Sequence, residues 1–152
     1  MTARLARDEG EVQEAYALRH EVFVVEQGVP AELELDELDP QADHFLVRDA
    51  DGAVVGAGRL VVEPAGFATV EPSLGPVGHL GRLAVRRTAR GAGHGVALVR
   101  AIEDRARERE LRVVVLGAQT HAIGFYARLG YTAYGPVFDD AGLPHRWMRR
   151  KV

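Results

Sequence analysis

The sequence predicts an α/β (α+β) protein built around a mixed sheet. Strand-like and helix-like segments alternate along the chain, which is the pattern of a sheet flanked by helices. Residues 44–62 contain a β-hairpin, which indicates antiparallel neighbours, and the apolar run VVVLGA at residues 113–118 is typical of a strand covered on both faces. With 152 residues, 47% of them hydrophobic, the chain is long enough for one globular domain, which we expect to span residues 1–152.

The first elements are a short strand and a helix. Residues 3–6 favour a strand, and Asp8 is suited to cap a helix over residues 9–23. Glu11 would complete a capping box with Asp8. The helical period places Val12, Ala15, Tyr16, Arg19 and Phe23 on one face.

A long acidic connection, GVPAELELDELDPQAD, follows at residues 28–43. Its glycine and prolines interrupt regular structure, although a short helical turn fits within it. One interpretation is an electronegative lip that attracts a cationic amine, and the other is a solvated loop. We favour the solvated loop.

The hairpin joins strands at residues 44–48 and 54–62 through the turn DADG, in which Gly52 is free to adopt a positive φ. Gly56 and Gly58 in the second strand indicate a bulge or a close backbone approach. A further strand over residues 79–85 leads directly into the glycine-rich segment RGAGHG at residues 90–95.

The C-terminal elements begin with a helical stripe that we expect to be buried, formed by Val96, Val99, Ile102 and Ala106. Glu103 and Arg107 are suited to an outward pair on the same helix. A second helix over residues 122–129 should end at Gly130. Two last strands, residues 131–137 and 146–150, surround the turn DDAGLP.

The segment RGAGHG has the composition of an anion-binding loop. Amides at the start of a helix attract an anion, the glycines let it approach the main chain, and Arg90 adds a charge. The alternative is a turn that only packs a helix against a strand. The dinucleotide-binding motif requires glycine or alanine where this chain has Val96, so the segment does not match it. A P-loop requires a lysine at the end of the segment, and the only lysine in the sequence is Lys151.

Composition narrows the class of partner. The net charge of −3 gives no general basic field, so we expect neither nucleic acid nor an anionic membrane as a partner. The sequence contains no cysteine, which excludes disulfides and thiolate chemistry. No apolar run approaches the length of a membrane span or a signal core, and we expect a cytoplasmic protein.

Three segments together resemble the GNAT family of N-acetyltransferases, in its ElaA-like branch. They are LAVRRTARGAGHGVAL, with Arg90, Gly93 and Gly95 at the defining positions, AIGFYARLGY, and LRHEVFVVEQ near the N-terminus. The resemblance implies a central, mixed, mostly antiparallel splayed sheet flanked by helices. It also implies acetyl-CoA as cosubstrate, a small amine as acceptor, direct attack of the amine on the thioester and no metal.

The resemblance also implies roles for individual residues. The main chain of Leu83, Ala84 and Val85 would pair with the pantetheine arm, and an amide at Leu83 or Ala84 would polarise the thioester oxygen. Tyr126 would protonate the leaving thiolate. The remaining cofactor contacts would come from Arg90, Gly91, Ala92, Gly93, His94, Gly95, Gln119 and Phe125, with Gln119 standing where the family often has asparagine.

The base and the acceptor contacts stay open. Histidine accepts a proton near neutral pH, and His145 is our first choice, with His79, His121, Glu26 or a water chain as alternatives. Arg82 would meet a substrate carboxylate or form an ion pair with the acidic connection. Glu26 and Asp39 would instead meet a cationic amine, and Gln119 and His145 complete the predicted acceptor site.

A second hypothesis is a non-catalytic acyl-CoA-binding or regulatory module on the same fold. Retention of Tyr126 and of an intact loop over residues 90–95 favours the enzyme. Homodimers are common in the family, although no residue here identifies an interface.

Overall fold

A computed structural model describes residues 2–64 and 66–152, so Met1 and Ala65 of the expected domain lie outside the described residues. The strands form one seven-stranded sheet in the order β1-β2-β3-β4-β5-β7-β6. They are β1 Arg4–Leu5, β2 Asp43–Arg48, β3 Val54–Val62, β4 Val77–Val85, β5 Val113–Gln119, β6 Thr132–Asp140 and β7 Leu143–Lys151. The α-helices are α1 Glu9–Arg19, α2 Ala31–Glu34, α3 His94–Glu108 and α4 Ile123–Arg128.

The sheet is mixed and mostly antiparallel, as predicted. Only β4 and β5 pair in parallel, and they do so at three positions, where Val77 to His79 face Val113 to Val115. Beyond His79 and Val115 the two strands carry no further pairs with each other and diverge. This divergence, the β4–β5 gap, confirms the expected splay.

Helix α1 begins where the sequence indicated. The Asp8 side chain accepts from the Glu11 amide at 2.9 Å. The capping box is wrong in detail, because the Glu11 carboxylate accepts from the Arg7 amide, at 2.9 Å, rather than from Asp8. A π-helical segment, His20–Glu26, continues α1 and widens its winding. Of the five residues expected on one face, Ala15 and Arg19 are buried, together with Leu18 and Val22, whereas Val12, Tyr16 and Phe23 are partly buried.

The core lies between the sheet and α3, and two glycines of β3 allow α3 to approach closely. A Cβ at Gly56 would lie 3.0 Å from Leu98 Cδ1, and one at Gly58 would lie 2.9 Å from Ile102 Cδ1. This confirms the close approach predicted for the glycine pair. The expectation for Val96 was wrong: its side chain is exposed, and Leu98 takes its place in the buried stripe.

Glu103 also differs from its prediction, because it is fully buried rather than paired outward with Arg107. Its carboxylate accepts from the Tyr131 hydroxyl at 2.8 Å and from Arg100 at 2.8 Å. Arg107 pairs instead with Asp104 at 2.9 Å. The buried carboxylate therefore joins α3 to Tyr131, in the segment between α4 and β6.

The acidic connection is not a solvated loop. Glu34 and Asp39 are each only 4% exposed, and Arg19 bonds both of them at 2.7 Å. Arg59 of β3 bonds Asp39 at 2.9 Å and Asp36 at 2.7 Å. Although burial alone would raise the pKa of Asp39, the hydrogen bonds from Arg19 and the Asp36 amide hold it well below its usual range. These interactions fix the connection against the sheet.

Both hairpins have their turns in the segments that the sequence predicted. Gly52 has a φ of 86° in the turn between β2 and β3. In the last hairpin, β6 and β7 extend into DDAGLP and leave only Ala141 and Gly142 as the turn, with φ of 52° and 81°.

Candidate active site

The β4–β5 gap opens onto a large cavity in the middle of the molecule. This central cavity has a volume of about 730 Å³. Five predicted site residues line it: Arg82, Leu83, Gln119, Tyr126 and His145. The structure therefore brings together residues that the sequence assigned to the thioester, the leaving thiol and the acceptor.

The glycine-rich segment lies at the N-terminus of α3, just beyond β4. Gly91 and Gly93 have positive φ values of 86° and 85°, a conformation that favours glycine. The Ala97 amide donates to the Gly93 carbonyl at 3.0 Å as the first hydrogen bond of α3. The helix amides before Ala97, together with the positive end of the helix dipole, are suited to an anion.

Gly95 joins this segment to α4. A Cβ at Gly95 would lie 3.2 Å from Phe125 Cζ, so a larger residue would require the Phe125 ring to shift. Phe125 in turn packs edge-on against Tyr126, with ring centroids 5.0 Å apart. Phe125 therefore links the glycine-rich segment to Tyr126. His94 is buried at the start of α3.

The Arg90 side chain is held by two partners. Its guanidinium bonds the two carboxylate oxygens of Glu26, each at 2.7 Å, and its Nε donates to the Val85 carbonyl at 2.9 Å. Hydrogen bonding from Arg90 lowers the pKa of Glu26 from its ordinary value, so the pair is ionised at neutral pH. Glu26 thus lies beside the glycine-rich segment rather than in the lining of the central cavity.

The main chain of β4 presents Val85 to the gap. The Arg86 amide donates to the Val55 carbonyl of β3 at 2.7 Å. Because successive residues of a strand direct their amides to opposite sides, the Ala84 amide faces β3 and the Val85 amide faces the gap. The main-chain contact expected at Ala84 therefore does not fit this geometry, whereas that at Val85 does.

A bulge interrupts β4 next to the gap. The register places Arg82 and Leu83 together opposite Gly58, and Arg82 has a φ of 52°. The Arg82 guanidinium bonds Glu34 at 3.1 Å and Asp36 at 3.3 Å. Arg82 thus forms the ion pair with the acidic connection that the sequence offered as the alternative to substrate binding.

Tyr126 is only 8% exposed and lines the central cavity. Burial raises its pKa above the ordinary value for tyrosine. Its hydroxyl therefore keeps its proton at neutral pH, which suits a proton donor.

His145 offers a proton acceptor in the same lining. Its Nδ1 lies 2.8 Å from the Leu143 carbonyl. Because a carbonyl only accepts, Nδ1 carries the hydrogen, and Nε2 of the neutral ring keeps a lone pair. His145 pairs with Gln119 across β5 and β7. The Gln119 amide donates to Gln27 at 2.9 Å and accepts from His121 at 2.8 Å, which fixes its orientation.

A second polar pair, His79 and Glu63, lines the cavity near the start of the gap. His79 Nε2 lies 2.9 Å from Glu63, and the Thr69 hydroxyl donates to the same carboxylate at 2.6 Å. Burial opposes ionisation of Glu63, but the bonds from Thr69 and His79 hold its pKa below the ordinary value. Sequence reasoning missed Glu63, since no motif surrounds it.

Two aromatic residues of the lining, Phe138 and Trp147, were also missed. The sequence did carry a pattern for one of them. Trp147 stands two residues after His145 and therefore shares its face of β7.

Among residues 2–64 and 66–152, no cluster of three or more His, Asp or Glu side chains is arranged to hold a metal ion. Every helix in this part of the chain is too short or too polar to cross a bilayer.

A splayed sheet with a glycine-rich helix N-terminus beside the gap defines an acyl-CoA N-acyltransferase fold. A solved acyl-CoA N-acyltransferase from Pseudomonas aeruginosa superposes with a TM-score of 0.77 at 30% identity, covering 98% of this chain and 97% of that one. Escherichia coli ElaA gives a TM-score of 0.77 at 26% identity, with the same coverage of 98% and 97%.

The chain belongs to the acetyltransferase (GNAT) family, whose family model matches residues 11–131. It is 36% identical to the "Uncharacterized N-acetyltransferase YjcF" of Bacillus subtilis over 99% of both chains. The UPF0039 protein sll0451 of Synechocystis is 37% identical over 88% of this chain and 82% of its own length. The chain is therefore an acyltransferase enzyme of the ElaA-like kind, and its cosubstrate is an acyl-CoA.

Proposed function

We propose that this protein transfers an acetyl group from acetyl-CoA to the primary amine of a small molecule. One observation carries the proposal: Leu83, Tyr126 and His145 line a single cavity at the β4–β5 gap. These residues supply a polarising main chain, a proton donor and a proton acceptor, which are the three functions that aminolysis of a thioester requires.

The cosubstrate would enter along the gap. The pyrophosphate would bind the amides of residues 91–95 at the start of α3, and the pantetheine arm would pair with the Val85 amide. Arg90 would add a positive charge at the loop, although Glu26 already neutralises part of it. Gln119 and Phe125 would border the arm from β5 and α4.

The reaction would proceed by direct attack. The neutral amine nitrogen forms a bond to the thioester carbonyl carbon, and the Leu83 amide stabilises the oxyanion. His145 Nε2 takes the proton that the nitrogen loses. The carbon–sulfur bond then breaks, and the Tyr126 hydroxyl protonates the departing thiolate. Solvent returns the proton from His145 to Tyr126, so the products are an acetamide and coenzyme A.

We further propose that residues 1–152 act as one domain. A cytoplasmic location and a homodimer stay predictions.

Release of the thiol of coenzyme A in the presence of acetyl-CoA and a panel of primary amines tests the proposal. We expect release that depends on the amine, accompanied by formation of the acetamide detected by mass spectrometry. Tight binding of acetyl-CoA without turnover across a broad panel would instead support a non-catalytic module.

A further inference from the structure

Carboxylates outnumber guanidinium groups in the lining of the central cavity. The guanidinium groups are those of Arg59 and Arg82, and the carboxylates are those of Glu34, Asp36, Glu63 and Asp140. Arg59 is bound by Asp36 and Asp39, and Arg82 is bound by Glu34 and Asp36. A substrate carboxylate would enter a site with an excess of negative charge, so the cavity disfavours an acceptor that carries a carboxylate.

Three of the four carboxylates are occupied. Glu34 and Asp36 hold the two arginines, and Glu63 accepts from Thr69 and His79. The fourth, Asp140, is exposed at the end of β6, two residues after Phe138. The charge of the lining therefore suits the ammonium group of an acceptor and does not exclude a second one.

One part of the lining is aromatic. Phe138 lies between His145 and Trp147, with ring centroids 5.8 Å and 5.0 Å apart and interplanar angles of 28° and 29°. We call these three residues the aromatic shelf. Gly117 lies against the shelf, where a Cβ would be 3.4 Å from Phe138 and 3.7 Å from Trp147. The absence of a side chain at Gly117 leaves room for both rings beside β5.

Further apolar residues extend this surface. Leu33, Leu38 and Phe67 contribute further apolar lining, and Phe67 is 59% exposed. Phe138 and Trp147 are each only partly buried, so their rings are accessible from the cavity. A planar ring bound on the shelf would gain offset stacking in addition to apolar burial.

We propose that the acceptor is an amine on a planar aromatic body without a carboxylate, an arylalkylamine. Its ring binds on the aromatic shelf, and its amine lies beside Nε2 of His145, which belongs to the shelf and serves as the proton acceptor. This assignment rests on the proposed acetyl transfer, and the structure adds the substrate class.

Matched amines test the class. Phenylethylamine and phenylalanine differ only by the carboxylate, and hexylamine and putrescine both lack the ring. With acetyl-CoA as donor, we expect kcat/KM for phenylethylamine to exceed that for each of the others by about tenfold or more, the scale of one lost stacking contact or one unpaired charge. An equal or higher value for phenylalanine or putrescine would overturn the assignment.

A shelf variant separates stacking from folding. We expect Phe138→Leu to raise KM for phenylethylamine by about tenfold and to change KM for hexylamine by less than about twofold. Val137→Ala, at a neighbouring residue that is 59% exposed, is the matched control and should leave both values unchanged. Equal changes for the two amines would assign Phe138 a structural role and contradict the shelf.

Binding has its own readout because Trp147 is the only tryptophan in the sequence. With coenzyme A bound, phenylethylamine should quench Trp147 fluorescence at lower concentration than phenylalanine does. Thiol release with none of the amines would overturn the proposed transferase, yet this fluorescence preference would still support the aromatic site. Equal quenching by phenylethylamine and phenylalanine would overturn the substrate class alone.

Discussion

The guanidinium of Arg90 and the carboxylate of Glu26 form a two-point ion pair, with both N···O distances at 2.7 Å. The pair places a negative charge beside the main-chain amides proposed to bind pyrophosphate. The Glu26 carboxylate would therefore repel the pyrophosphate and weaken its binding, even though Arg90 is in position to attract an anion.

Glu26→Gln should tighten acetyl-CoA binding. Removal of the carboxylate leaves Arg90 uncompensated, and we expect Kd to fall by about twofold to fivefold at low salt, with a smaller effect at high salt. Isothermal titration calorimetry at two salt concentrations measures the change. Glu21→Gln, which removes the exposed pair with Arg86, is the control. A weaker affinity in Glu26→Gln would mean that Glu26 serves chiefly to orient Arg90.

Substitution of the cavity histidines should identify the proton acceptor. His145→Gln should lower kcat by about a hundredfold or more, because a general base typically contributes that much. His121→Gln leaves His145 in place, so its kcat should stay within about threefold of the wild-type value, a change in activation free energy of under 1 kcal/mol. Steady-state kinetics with a saturating amine gives the comparison. A larger loss in His79→Gln than in His145→Gln would transfer the role to the pair of His79 and Glu63.

Glu11 should make the unfolding free energy dependent on acid pH. Its carboxylate accepts from Arg4, the Arg7 amide and Arg48, and these bonds lower its pKa from the ordinary 4.5. Because the pKa of Glu11 is lower in the folded state, its ionisation stabilises the fold fully at pH values above the pKa of the unfolded state. This stabilisation is lost as the pH falls toward and through the pKa of the folded state. Glu11→Gln should therefore cost about 1–3 kcal/mol at pH 7 and progressively less below about pH 4.5.

Urea unfolding between about pH 3 and pH 7 measures this difference. Glu14→Gln is the control, because Glu14 is exposed and bonds Arg48 only. A cost for Glu11→Gln that grows as the pH falls would contradict the assigned sign.

The bulge at Arg82 should favour glycine over alanine. Both substitutions remove the ion pairs with Glu34 and Asp36, but only alanine keeps the strain of a φ of 52°. We expect Arg82→Gly to be more stable than Arg82→Ala by about 1 kcal/mol. Equilibrium unfolding of the two variants provides the test, and equal stabilities would mean that the bulge relaxes once the side chain is removed.

Local sequence patterns predicted the elements that depend on neighbouring residues. The turn DADG fixed the first hairpin, Asp8 capped α1, and the glycine-rich segment opened α3. The splay of β4 and β5 came from the family resemblance rather than from any spacing.

Buried charges were not predictable in this way. The partners of Arg19 lie 15 and 20 residues away, and Tyr131 lies 28 residues from Glu103. Local patterns placed Arg19 on the apolar face of its helix, but they assigned the acidic connection and Glu103 to solvent, because they carry no information about which distant charge will meet a residue. The same reason explains why Glu63 and its bond to His79 were missed.

The kinetic effect of Tyr126→Phe tests the central claim most directly. With acetyl-CoA and an accepted amine, removal of the hydroxyl should lower kcat by about a hundredfold or more while KM for acetyl-CoA changes by less than about twofold. Tyr134→Phe, which removes a hydroxyl bonded to the Thr69 carbonyl, serves as the control for loss of a tyrosine hydroxyl. An undiminished kcat in Tyr126→Phe at every pH would contradict the assignment of this hydroxyl as the acid that releases the thiol.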